Sequence, residues 1–143
     1  MTSRKKAEIV VTPPPFWWWI HKQFPEALLD KQIFAFGNKI HWAHQFDGQA
    51  LSLDLIAHET THLKQQGFSN FGAIKWWRRY AKDPQFRLEQ EIEAMRAQMA
   101  MARTMTNNRQ VLFELEMKQA GNLASPVYNN MVSVSEAYDL ITK

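Results

Sequence analysis

The sequence predicts a mainly helical α+β domain with a small antiparallel sheet near its front. Three observations carry that expectation. Apolar residues recur at helical spacing in two long stretches: Leu51, Leu55 and Leu63 with Ile56 beside them, then Leu88, Ile92, Met95 and Met99. Residues that start and stop helices bracket those stretches, with Gly67 closing the first and Asp83-Pro84 opening the second. Two short β-rich runs flank Gly37-Asn38, a pair suited to a turn.

Each element follows from local chemistry. Residues 1–15 form an N-terminal arm, and Pro13-Pro14-Pro15 holds its end extended. That triplet delivers Phe16, Trp17, Trp18 and Trp19 to whatever lies next, where they are expected to pack into a core. A single domain fills residues 16–143. Pro25 to Lys31 reads as a short helix with its proline in the first turn. Gln32 to Phe36 and Lys39 to Phe46 read as strands around the turn, and Asp47-Gly48 ends the second.

Gln49 to Gln66 is expected to be helical up to Gly67, and Asn70 to Lys82 forms the next helix. Asp83 supplies a capping oxygen for a long helix running from Pro84 to about Thr104. Arg109 to Ala120 adds another, ended by Gly121. A turn at Ser125-Pro126 and a last short helix near Ser135 to Ile141 complete the chain.

Composition excludes several function classes. Apolar residues make up 45% of the 143, too many for a disordered chain. The absence of cysteine removes disulfide scaffolds, thiolate metal sites and thiol nucleophiles. Any metal must be held by His, Asp or Glu. A net charge of +3, with both signs spread along the chain, does not mark a nucleic-acid binder. The longest apolar run, Phe16 to Ile20, is far short of the ~18 residues of a membrane span. Ile9-Val10-Val11 before the prolines is too short and too broken for a signal sequence. A soluble protein kept in a reducing cytoplasm, with no membrane or nucleic-acid partner, is the expectation; the oligomeric state is not legible.

Chemistry is concentrated in His58-Glu59-Thr60-Thr61-His62. Histidines at i and i+4 leave a helix on one face, so both imidazoles can reach one metal ion. Glu59, one residue on, can touch a water there without being a ligand. A catalytic zinc wants three protein ligands and an open position. No histidine follows His62, and those before it are His21, His41 and His44 on the aromatic-rich front segment. The acidic candidates are Glu89, Glu91 and Glu93. Relative to the stripe of Leu88, Ile92, Met95 and Met99, Glu91 lies roughly 60° from the centre, Glu89 about 100° and Glu93 about 140°. A carboxylate at the edge of a buried stripe needs a partner, and a metal is one. Glu91 is therefore the expected third ligand.

His58-Glu59-Thr60-Thr61-His62, paired with a later helix bearing Glu91-Ile92-Glu93-Ala94, resembles the gluzincin zinc peptidases, whose third ligand is the first glutamate of such a segment. More narrowly, the chain resembles small phage-type metallopeptidases of this group. Gln65-Gln66-Gly67, Trp76-Trp77-Arg78-Arg79-Tyr80, Asp83-Pro84 before Phe86-Arg87, Ala94 and Gln98, and Leu123-Ala124-Ser125-Pro126-Val127-Tyr128 carry that likeness. The likeness covers most of residues 30–141. It implies a minimal zincin-like fold with the sheet packed on the motif helix, and one zinc per chain held by His58, His62 and Glu91. It further implies a phage-encoded peptidase acting in the bacterial host cytoplasm on a protein or peptide substrate. Larger gluzincins often carry an acidic residue four positions after the glutamate ligand, to orient a bound histidine; here that position is Met95. The orienting partner must come from elsewhere.

The implied chemistry is hydrolysis of a peptide bond by a zinc-activated water with Glu59 as general base. The resemblance also implies substrate bound as an added strand, with Lys39 to Phe46 as the candidate edge. His41, His44, Tyr80 and Tyr128 are candidate helpers for the carbonyl oxygen, and the resemblance favours Tyr128. Lys75-Trp76-Trp77-Arg78-Arg79-Tyr80 is expected to be an amphipathic helix with solvated charges. The rival function is an inactive zinc-binding module serving protein interaction or phage assembly.

Overall fold

The computed structural model describes residues 7–29, 31–43 and 51–143. In chain order the elements are β1 (Glu8–Val10), α1 (Trp17–Gln23), β2 (Phe34–Phe36), β3 (Lys39–His41), α2 (Leu53–Gln65), α3 (Asn70–Lys82), α4 (Pro84–Met105), α5 (Arg109–Leu123), a 3₁₀ turn at Pro126–Tyr128, and α6 (Val134–Thr142). The molecule is mainly helical with a small three-stranded sheet. Among the described residues, no helix is long and apolar enough to cross a membrane.

The front of the chain departs most from the sequence reading. Helix α1 lies before Pro25, and none of the described residues of the Pro25 to Lys31 stretch is helical. Proline disfavours helical geometry in the residue before it, so Phe24 (φ −128°, ψ 77°) ends α1 instead of leading into a new helix. Phe16, with φ 58°, makes the left-handed entry, and Ile20 is driven into the core. Trp17 packs edge-on against Phe34 at 5.0 Å. Trp17 and Trp19 join an aromatic cluster with Phe34, Phe36, Trp76 and Trp77, whereas Trp18 is 71% exposed.

The sheet is mixed rather than antiparallel. Its order is β1-β3-β2, with β1 parallel to β3 and β2 antiparallel to it. Residues 8–10, expected in the arm, are thus paired: Ile9 opposes Ile40, and Val10 opposes His41. The pairing covers apolar side chains at Ile9 and Ile40 that a free arm would leave in water. Strand β3 is consequently the central strand, with β1 and β2 on its two sides, and cannot accept a further strand along Lys39–His41. The expected substrate edge fails there, and 44–46 of that stretch, His44 included, lie outside the described residues.

Gln66 fastens the β2–β3 hairpin to the motif helix. Its Oε1 accepts from Gly37 N at 2.8 Å, and its Nε2 donates to Ala35 O at 3.0 Å. Trp77 Nε1 donates to the same carbonyl at 3.0 Å, so side chains from two helices occupy the outer side of β2. Gly37 takes φ +67° in the turn, and a β-carbon there would run into the Asn70 side chain.

The later helices follow the sequence closely. Ser69 caps α3 through Gly72 N, and Asp83 caps α4 through Phe86 N at 3.1 Å. On α3, Trp76 and Trp77 are buried while Lys75, Arg78, Arg79 and Lys82 are exposed. Helix α5 runs past the expected stop at Gly121 to Leu123. The extra turn buries Leu123, which with Ala120 packs against Leu88, Met95, Ala137 and Ile141 from α4 and α6. Helix α2 has two apolar or polar duties: Leu63 and Ile56 face Ala35 and Ile40 of the sheet, while its histidines face α4.

Candidate metal centre

Helix α2 presents His58 and His62 one turn apart, with ring centroids 5.0 Å from each other. Facing them, α4 presents Glu91. His62 Nε2 lies 2.6 Å from Glu91 Oε1, and His58 Nε2 lies 3.3 Å from Oε2 of the same carboxylate. Both imidazoles therefore aim their Nε2 atoms at one buried group. Glu59 stands beside them, with Oε2 3.8 Å from His58 Nε2.

His58, Glu59 and His62 each offer a donor atom within 4.8 Å of the others. Glu91 is a further donor at the same place. Its carboxylate contacts both imidazole Nε2 atoms, whereas the Glu59 carboxylate stands farther off, 3.8 Å from His58 Nε2. Glu59 is left adjacent to the focus, where a proton acceptor is wanted.

The other ring nitrogens are held by glutamines. His58 Nδ1 lies 2.9 Å from Gln98 Oε1, and His62 Nδ1 lies 2.8 Å from Gln65 Oε1. A carbonyl oxygen can only accept, so each Nδ1 carries its proton and donates. In the neutral ring that leaves the Nε2 lone pair for a cation. Two imidazoles that have each given up the Nε2 proton, together with a carboxylate, would suit a cation such as zinc. The residues present fit the implied metal.

Sequence reasoning did not assign Gln98 and Gln65 this part, though their spacing contains the signal. Gln65 follows His62 by three residues, and Gln98 follows Glu91 by seven, so Gln65 shares a face with His62 and Gln98 shares one with Glu91. Gln98 Nε2 donates to Asp54 Oδ2 at 2.9 Å, and Gln119 Nε2 donates to Gln98 Oε1 at 2.7 Å. Gln65 Nε2 donates to Gln90 O and to Glu93 Oε1, both at 3.1 Å.

Burial and charge set the protonation states. Burial pushes the Glu91 carboxyl up, but the charge of His62 and hydrogen bonds from both imidazoles outweigh it and hold it far below the ordinary range. Burial lowers His62, yet Glu91 raises it to about 9; His58 is raised by the same partner against the same penalty. Glu59 moves the other way. Burial raises its carboxyl above the usual value, against the pull of His58 and His62.

Two tyrosines close the far side. Tyr80 OH donates to Glu91 Oε1 at 3.4 Å, and the Tyr128 phenol lies near that of Tyr80. Burial, then the Glu91 charge, raises both phenols well above their ordinary value, so both stay neutral donors. The structure thus brings Tyr128 from the chain's tail to the carboxylate of α4. His41 is not part of this group: its Nδ1 bonds Thr12 O at 2.8 Å. His21 bonds Ala27 O through Nδ1. Glu89 and Glu93 are exposed, Glu89 taking a hydrogen bond from Gln85.

An open groove lined by Thr61, Lys64, Gln65, Phe86, Gln90 and Glu93 runs beside the centre. None of His58, Glu59, His62 or Glu91 lines it, so it is not where the clustered groups would act. No family model, curated protein or solved structure matches this chain significantly.

Proposed function

We propose that the chain is a zinc-dependent metallopeptidase that hydrolyses peptide bonds. The observation that carries this reading is the convergence of His58 Nε2 and His62 Nε2 on the Glu91 carboxylate, with Glu59 alongside. His58, His62 and Glu91 are the residues that would hold one zinc. When bound, zinc supplies Lewis acidity, lowering the pKa of water and polarising a carbonyl.

Glu59 is the general base. Its carboxyl, held above the ordinary carboxylate range by burial, accepts a proton from water as that water adds to the substrate carbonyl. The same proton then passes to the departing amine as the C–N bond breaks. Tyr80 and Tyr128 are neutral phenols near this point and can donate to the carbonyl oxygen as it gains charge. With no cysteine in the chain, a thiol acyl-enzyme is excluded.

The test is elemental analysis of untagged protein beside the His58→Ala variant. About one zinc per chain, lost in the variant, supports the metal site. A protein and peptide substrate screen then follows, with Glu59→Gln as the control that keeps zinc and loses hydrolysis. Parent protein that cannot be loaded with zinc sinks the proposal. Zinc-loaded parent that cleaves nothing Glu59→Gln spares would point instead to the inactive zinc-binding module.

A further inference from the structure

We infer that Gln98 is the positioning residue for His58, and that Asp54 fixes which way the Gln98 amide points. The inference rests on the metal-site reading above. Met95, on the same helix, packs in the α4–α5–α6 core and cannot accept a hydrogen bond of this kind. One turn further along the same helix, Gln98 reaches His58 Nδ1 at 2.9 Å.

An amide can present either its oxygen or its nitrogen, and only the oxygen makes a useful partner here. If Nε2 of Gln98 faced His58, the imidazole would have to accept at Nδ1. Its proton would then sit on Nε2, the atom needed by a metal. Asp54 removes that ambiguity. Its carboxylate can only accept, so the group facing it across 2.9 Å must be the Gln98 NH₂. Gln98 Oε1 is thereby turned to His58.

Gln119 adds a contact from α5. Its Nε2 donates to Gln98 Oε1 at 2.7 Å, although this leaves its own buried Oε1 without a partner among the described residues. Three helices thus converge on one amide: Asp54 from α2, Gln98 from α4 and Gln119 from α5. The arrangement supplies a neutral acceptor to the imidazole where a carboxylate would add a further buried negative charge beside Glu59 and Glu91.

The test compares zinc affinity, by competition with a chromophoric chelator, in the full-length parent, Gln98→Leu, Asp54→Ala and the double variant Gln98→Glu/Asp54→Asn. Gln98→Leu should bind zinc about 10–100-fold more weakly, the usual consequence of removing an outer partner of a ligating histidine. Asp54→Ala, at a site less buried than Gln98, should weaken binding in the same direction by a smaller factor.

The double variant reverses the donor and acceptor order while keeping an oxygen toward His58. It should return the affinity to within about threefold of the parent, a rescue that lost packing alone would not give. Parental affinity in both Gln98→Leu and Asp54→Ala overturns the assignment, as does a folded double variant that binds no better than Gln98→Leu. If Gln98→Leu fails to fold, Asp54→Ala and the double variant decide. A parent that takes up no zinc overturns the metal-site reading itself, and is told apart because it precedes any comparison of variants.

Discussion

Glu91 Oε1 lies 2.6 Å from His62 Nε2 in a site from which water is largely excluded. The pair joins α2 to α4, the two helices that pack most extensively, and its second carboxylate oxygen reaches His58. A buried imidazole–carboxylate contact of this kind is costly to assemble and costlier to break on one side only. The same three groups therefore bear on stability without metal and on metal affinity with it.

Glu91→Ala should consequently show two effects. Zinc affinity should fall by more than the roughly 10–100-fold typical of an outer partner. Metal-free protein should lose about 3–5 kcal/mol of stability, since a charged imidazole is left buried without its counter-charge. Glu89→Ala, at an exposed position, should change stability by less than about 0.5 kcal/mol; it and Glu93→Ala, which removes one acceptor of the Gln65 amide, should both leave one zinc per chain. Urea melts and elemental analysis on the three variants check this. Zinc lost with Glu89 and kept without Glu91 would overturn the ligand assignment.

Metal removal offers an independent reading. Binding to the folded state alone stabilises it by about 2.7 kcal/mol when free zinc is a hundred times the Kd. For a chain of this length that corresponds to a Tm shift of roughly 5–10 °C. Chelator should therefore lower the Tm of zinc-loaded parent by that amount and leave His58→Ala unmoved. Equal shifts in both would place the stabilising zinc elsewhere.

The parts that were legible in the sequence are those in which local signals agree. Gly67, Asp83 and the apolar stripe of α4 mark helix limits within a residue or two. The position of Glu91 at the edge of that stripe set it against the two histidines. The parts that were not legible depend on distant partners. Glu8–Val10 become a strand only because Lys39–His41, some thirty residues on, offers a free side, and three residues carry no periodicity of their own. Pro25 was compatible with either the start of a helix or the end of one, and the aromatic packing of Trp17 and Ile20 decided for the end. Gln98 and Gln65 were readable in principle by their spacing. A glutamine has so many ordinary uses on a helix that only the geometry singles them out.

Tyr128→Phe isolates the contribution of the phenol. The hydroxyl is a neutral donor near Tyr80 and lies outside the group that contacts the imidazoles. Zinc content should be unchanged, while kcat on any cleaved peptide should fall about 10²–10³-fold if the hydroxyl stabilises the developing oxyanion. Tyr80→Phe should also weaken zinc binding, because it removes a donor from Glu91 itself. Steady-state kinetics paired with metal analysis separate the two. Unchanged kcat in Tyr128→Phe would remove Tyr128 from the reaction.

Gln66→Ala probes the link between hairpin and motif helix. Gln66 is 2% exposed and follows the motif helix directly, so its amide determines how the sheet seats on α2. The substitution leaves Gly37 N–H without its side-chain acceptor, whereas Ala35 O keeps the indole of Trp77. One orphaned donor and a cavity the size of an acetamide should together cost about 2–4 kcal/mol, read from the urea midpoint at an unchanged m value. Because the histidines lie on the opposite side of α2 from the hairpin, zinc stoichiometry should remain that of the parent. Loss of zinc in a variant that is still folded would mean that the hairpin, through Gln66, sets the pitch of the helix that carries His58 and His62.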